Sequence, residues 1–258
     1  EDSGAEVAAI ARAYTIAREV LAMRELWADI ESLDNRVAAG MQYSMMYQTH
    51  RLLRQLTYWL LADRTGSLDI EERVSRLRPG VVALNAALPG VLVGTDLKRH
   101  QDRVAELAAA GVAERIARSI ANLAPLNAGL DIVEIARSAN VEVSYAARTY
   151  FVLGDALAFD WLRDQIEGLA VDGHWQAVAR GALRDDLYAL QRRLAGCVLA
   201  TKRRRRVDPQ AIVGAWVSSH RAEVEHLRAP VKEMKGGAAA DFPALSVIVQ
   251  MARRLIPS

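Results

Sequence analysis

A single cysteine, Cys197, stands in the 258 residues. That excludes an internal disulfide and any cysteine-based zinc site, and a lone thiol at helical core spacing reads as a small buried hydrophobe. Lysine is scarce too: Lys98, Lys202, Lys232 and Lys235 are the only four, and none sits in an apolar setting that would lower its pKa for catalysis. No apolar run approaches the roughly 18–20 residues of a membrane span, and nothing at the N-terminus has the order of a signal peptide, so a cytoplasmic chain without membrane contact is expected. A net charge of +2 is too small for a dedicated polyanion binder, although a pI near 8.8 leaves room for a local basic patch. Catalytic signatures are missing as well. There is no G-x-G-x-x-G after a strand, no G-x-x-x-x-G-K, no H-E-x-x-H and no G-x-S-x-G.

What the chain does have is apolar residues at helical spacing nearly throughout, within a globular composition of 52% hydrophobic and 25% charged residues. No stretch alternates as a half-buried strand does. The expectation is an all-α, multi-helix bundle built around two long helical hairpins with shorter helices between, and no β-sheet. Residues 1–258 are read as one helical domain: a first hairpin over 1–65, short helices over 66–140, a second hairpin over 141–200 and C-terminal helices over 208–258. The first helix is placed at Glu6 to Ser32 with Val7, Ile10, Tyr14, Ala17 and Leu21 as its stripe. Met41, Met45, Leu52, Leu56, Trp59 and Leu60 form the inner face of the second. Pro79-Gly80, Pro89-Gly90, Gly111 and Pro125 are expected to cut the region 69–127 into short pieces. The long helices Glu142 to Leu169 and His174 to Ala200 follow, and Asp208-Pro209 starts another. The sequence begins at Glu1, without an initiator Met and in a segment already helical in pattern, as expected of a piece excised from a larger chain.

An internal duplication is visible. Sliding the chain by 136 residues aligns Val7–Leu33 with Val143–Leu169 without a gap, and ten of the 27 positions are identical. They are Val7/Val143, Ala11/Ala147, Arg12/Arg148, Tyr14/Tyr150, Leu21/Leu157, Ala22/Ala158, Leu26/Leu162, Ile30/Ile166, Glu31/Glu167 and Leu33/Leu169. Most are apolar, so the repeated element is chiefly a packing surface.

Several constellations invite a chemical reading. His220, Glu223 and His226 are three apart, and Glu223-x-x-His226 is half of a di-iron motif, but no second copy completes it; a solvated face is expected. Asp185 and Asp186 point about 100° apart on a helix and are expected to pair with arginines such as Arg184, Arg192 or Arg193. Met41, Met45, Met46, Tyr43 and Tyr47 read as core and flank, and Trp27, Trp59, Trp161, Trp175 and Trp216 as anchors with one wet edge. The basic run 202–206 reads as a solvated helix end. Residues 131–150 have the small residue, turn and apolar position of a DNA-binding helix-turn-helix, which makes a transcriptional regulator the alternative reading. Against it, the second helix runs on for some 26 residues and carries packing rather than basic positions, so nucleic acid is not the expected partner. No catalytic, cofactor-binding or metal-ligating residue is assigned.

The residues nevertheless resemble a known family. Leu33-Asp34-Asn35-Arg36-Val37, Arg51-Leu52-Leu53 and Trp59-Leu60-Leu61 are similar to the region that follows the catalytic domain in the large bacterial NAD-specific glutamate dehydrogenases. So are Arg78-Pro79-Gly80-Val81, Ala86-Ala87-Leu88-Pro89, Leu130–Glu134, Asp160–Arg163, Trp175–Arg180, Leu183–Gln191, Leu245-Ser246-Val247 and Arg254-Leu255. Ala38 departs, standing where the family tends to have proline, and 200–240 matches weakly. The resemblance implies a C-terminal helical scaffold or regulatory domain of a cytoplasmic, homo-oligomeric enzyme of amino-acid catabolism. That oxidoreductase converts L-glutamate, NAD and water to 2-oxoglutarate, ammonia and NADH. NAD and the catalytic residues then belong to the parent chain, whose catalytic domain is this domain's partner. The fragment alone is expected to be inactive.

Overall fold

The computed structural model describes residues 6–63, 67–200, 207–237 and 240–256. Thirteen α-helices and one short 3-10 turn occur among them, with no strand. The all-α reading therefore stands. The chain divides into two compact units, residues 1–90 with 97–133, and residues 91–96 with 134–258. Each unit holds one copy of the duplicated segment.

In the first unit, the helices are α1 (Val7–Val20), α2 (Met23–Glu31), α3 (Ala39–Ala62), most of α4 (Ile70–Val91) and of α5 (Gly94–Ala109), and α6 (Glu114–Ala121). The segment expected as one helix from Glu6 to Ser32 is broken between α1 and α2. The break falls at Ala22, whose φ of 51° and ψ of 44° are left-handed. Both α1 and α2 pack on α3, with Ala13, Ile16, Ala17, Val20, Met23, Leu26 and Ile30 closed off from solvent alongside Met45, Leu52, Leu53, Leu56 and Leu60. Trp27 ties the elements together: its indole N–H donates to Thr49 Oγ1 at 2.8 Å, and that hydroxyl donates to the Met46 carbonyl. Ala38, at the N-cap of α3, has a φ of −59°; a proline ring fits that backbone, so the departure at this position leaves the turn unaltered.

One helix, α4, runs through both Pro79 and Pro89, where breaks were expected. Each proline removes a backbone donor and costs helix stability. The burial of Leu77, Val81, Leu84 and Leu88 along one side outweighs that local penalty. Helix α4 is held further by a buried polar bridge. Asn122 Nδ2 donates to Asn85 Oδ1 at 2.8 Å, and Asn122 Oδ1 lies 2.7 Å from His100 Nε2. Since that oxygen can only accept, Nε2 carries the proton. Asp69 caps the start of α4, its carboxylate accepting from the Glu72 N–H at 2.8 Å.

Helix α7 (Gly129–Ala139) begins in the first unit and ends in the second, where it leads through Asn140, itself left-handed with φ 50°, into α8 (Val143–Ala156). Then come α9 (Phe159–Gly168), α10 (His174–Leu199), α11 (Pro209–Ser219), α12 (Arg221–Lys235) and α13 (Phe242–Arg253). Again the expected single helix, Glu142 to Leu169, is broken. The break is at Ala158, with φ 56° and ψ 31°, the residue 136 positions after Ala22. Even the hydrogen bonds match, Ala22 N–H to the Glu19 carbonyl and Ala158 N–H to that of Asp155. Asp208 caps α11 as expected, accepting from the Gln210 and Ala211 N–H groups, and Pro209 is buried in the first turn. The run 202–206 lies outside the described residues.

An alanine in the left-handed region costs about 1–2 kcal/mol, so both joints carry strain that the packing on either side sustains. Replacing Ala158 by glycine removes the Cβ penalty and is expected to raise unfolding stability by about 0.5–1 kcal/mol, net of glycine's extra unfolded-state entropy. Urea denaturation of Ala158→Gly and Ala22→Gly checks this; a lower midpoint in both would refute the strain argument.

Candidate functional site

Among the described residues of the second unit, a group of charges gathers around Arg163 of α9. Its guanidinium donates to Asp96 Oδ2 at 2.9 Å and to Gln191 Oε1 at 2.8 Å, and lies over the Tyr188 ring, 5.7 Å from its centroid. Gln191 in turn donates to the Tyr150 carbonyl. Gly94, at φ +53°, lets the start of α5 approach so closely that any side chain there would overlap the Asp155 carboxylate. Burial penalises the Arg163 charge, but Asp96, Tyr188, Tyr150 and Asp160 outweigh it and raise the pKa above the ordinary arginine value. Asp155 is pushed up by burial and by Asp160 and Asp96, with Lys235 opposing. Burial also raises Tyr188, against the pull of Arg163.

This cluster is joined to itself. Arg163 spends its hydrogen bonds on a carboxylate and an amide of the same unit, and Lys235 sits over the Trp161 ring at 5.4 Å. These bonds fix α9 against α10 and the start of α5. The corresponding position in the first copy is Trp27, which likewise hydrogen-bonds into the following long helix. Sequence reading missed the cluster because Asp96 and Arg163 are 67 residues apart, and charges that far apart leave no periodic trace.

The residues singled out from sequence are dispersed. His220 sits at the junction of α11 and α12, stacked on Trp216 at 4.5 Å and engaged with its carbonyl. It therefore leaves the helix that carries Glu223 and His226, both of which are exposed. Among the described residues no group of three or more His, Cys, Asp or Glu side chains is arranged to hold a metal. Asp185 pairs with Arg184 at 3.0 Å, whereas Asp186 pairs with Arg253 of α13 at 2.7 Å, a partner the sequence did not suggest. Met45 is buried, but Tyr43 and Tyr47 stand out in solvent. Cys197 is half-buried. Trp59 donates to Asp131 at 2.7 Å. Trp175 is no anchor at all: it is 80% exposed, on a first turn and a half of α10 where His174 to Ala179 all face solvent.

For the helix-turn-helix reading, α8 ends at Ala156 and is not the 26-residue helix expected, so length does not count against it. Burial does. Ala146, Ala147, and every residue from Thr149 to Gly154 are enclosed, which leaves no broad face to enter a DNA groove. No strand is among the described residues, so they do not contain the strand, glycine-rich turn and helix of a Rossmann fingerprint. No single described helix is long and apolar enough to cross a membrane.

Helix α1 differs from its sequence-based picture in a further way. Its buried side is Ala13, Ile16, Ala17 and Val20, whereas Val7 and Tyr14 of the expected inner stripe are exposed. The helix is apolar on two sides, and periodicity alone admits either.

Comparison with known proteins identifies the family. The family described as "Glutamate dehydrogenase, C-terminal" matches residues 1–254. The NAD-specific glutamate dehydrogenase of Halomonas elongata is 34% identical over 97% of this chain, and that of Pseudomonas aeruginosa 34% over 96%. The Mycobacterium tuberculosis protein of the same name is 28% identical over 99%. The chain spans about 15% of the length of the first two and 16% of the third. With residues 1–254 matched in one piece and both repeat copies inside the match, the chain belongs to the glutamate dehydrogenase C-terminal family.

Proposed function

We propose that this chain is the non-catalytic C-terminal helical scaffold of an NAD-specific glutamate dehydrogenase. It packs against the catalytic part of the same polypeptide and helps set its orientation or the arrangement of subunits in a cytoplasmic homo-oligomer. The parent enzyme would oxidise L-glutamate with NAD and water to 2-oxoglutarate, ammonia and NADH, with NAD and the reacting groups held outside the residues described. One observation carries this reading: the match takes in nearly the whole chain yet only about 15% of each of two relatives named NAD-specific glutamate dehydrogenase. The inward-facing Arg163 cluster supports it, since its charges are spent on holding helices together.

Removing residues 1–258 from the full-length protein is expected to lower its thermal midpoint or its oligomeric order, read by calorimetry and by sedimentation. A truncated protein that matches the full-length one in stability, assembly and regulation would sink the scaffold reading. Turnover of glutamate and NAD by residues 1–258 alone would contradict the non-catalytic part of it.

A further inference from the structure

The duplication supplies a template for a face of the first unit that the chain itself leaves open. Helices α1 and α2 are related to α8 and α9 by the 136-residue repeat, and a long helix follows in each copy: α2 and α3 pack on α1 as α9 and α10 pack on α8. Helix α8 has one further helical neighbour, α11, which lies along it and brings Ile212, Val213 and Trp216 to the core. Among the described residues, no helix takes that place among the main packing partners of α1.

Burial at identical residues differs between the copies as well. Ala147 and Tyr150 are enclosed in the second unit, while Ala11 and Tyr14 are exposed in the first, and Val7 is 82% exposed against a half-buried Val143. Val7, Ala11 and Tyr14 are spaced i, i+4, i+7 and so form one stripe. A stripe meant for water has no reason to keep the three apolar residues that its buried counterpart uses. Arg12 adds to the likeness. Its counterpart Arg148 donates to the Leu92 carbonyl at 3.2 Å, and Arg12 is exposed on the flank of the stripe.

We infer that the Val7–Ala11–Tyr14 stripe of α1 is a docking face for an apolar helix from the part of the parent polypeptide that precedes residue 1, seated as α11 is on α8. This rests on the scaffold reading above and names its contact surface. The occupant is taken from the parent chain because about 85% of the relatives' length lies outside the match. The chemistry asked of it is that of α11: an aliphatic and aromatic stripe.

The test uses the full-length protein with a photoreactive benzoylphenylalanine at Tyr14. Irradiation is expected to give an intramolecular link, unchanged in mass on a denaturing gel, to a peptide upstream of residue 1. Adding Ala11→Arg should lower its yield roughly tenfold or more, because docking would bury an arginine without a partner. A link of doubled mass, to a second copy, would overturn the inference, as would a link only to residues within 1–258, no link, or a yield that Ala11→Arg leaves unchanged. If truncation disturbs assembly while position 14 stays unlinked, the face is wrongly assigned and the scaffold reading survives.

Discussion

Asp96→Ala should destabilise the second unit by about 3–5 kcal/mol, the range for a buried ion pair broken from one side. The pair's own net worth is much smaller than this, because taking both charges out of water nearly cancels their attraction. What the substitution costs is the guanidinium left behind. The Arg163 side chain is 11% exposed, its guanidinium also donates to the neutral Gln191 amide, and the ring of Tyr188 closes one side. Asp160 is then the remaining carboxylate among the groups that raise the Arg163 pKa, and it carries the smallest share. Replacing the charge as well, in Asp96→Ala with Arg163→Met, should recover much of the loss, since an apolar side chain of similar length carries no desolvation penalty. Urea unfolding monitored by far-UV circular dichroism measures both variants. A loss below about 1 kcal/mol for Asp96→Ala would mean that the pair is screened as a surface pair is.

The duplication allows a second large effect to be tested against its own internal control. Tyr150→Ala is expected to cost about 3–5 kcal/mol, as other truncations of enclosed aromatic side chains do. Tyr150 is 1% exposed and meets Phe151 edge-on at 5.6 Å. Tyr14→Ala removes the same atoms from the related position, where the side chain is 38% exposed, and should cost under about 1 kcal/mol in residues 1–258. Equal losses would mean that α1 is already covered on that side. In the full-length protein the two costs should approach one another if a helix docks on α1.

Much of this architecture was legible in the sequence because it is written in local periodicity. The α10 stripe of Leu187, Leu190, Leu194 and Val198 is buried as spacing required, and the Asp208 cap and the hairpin partners follow from residue type. The joints at Ala22 and Ala158 were not legible, since alanine is the best helix former and carries no signal for a left-handed turn. Their one trace was the repeated Leu-Ala pair in the duplication, read as packing when it also marks a bend. Proline misled in the opposite direction in α4, where tertiary burial overrode a local penalty. The Arg163 cluster depends on side chains from several separate stretches of chain. The open stripe of α1 could be recognised only once its twin was seen covered.

The bend itself has a consequence for how many layers each unit needs. At 100° per residue, an unbroken helix would place the arc of Ala13, Ile16, Ala17 and Val20 about 110° away from the arc of Met23, Leu26, Ile30 and Leu33. Two arcs so far apart in phase cannot both face one neighbour, and a straight rod would need a second helix to cover the other. The left-handed alanine turns the second arc back toward α3, so that a single long helix covers both. Every residue of α1 and α2 on those arcs is thereby satisfied within the hairpin, and the rest of the surface of α1 is released for another partner.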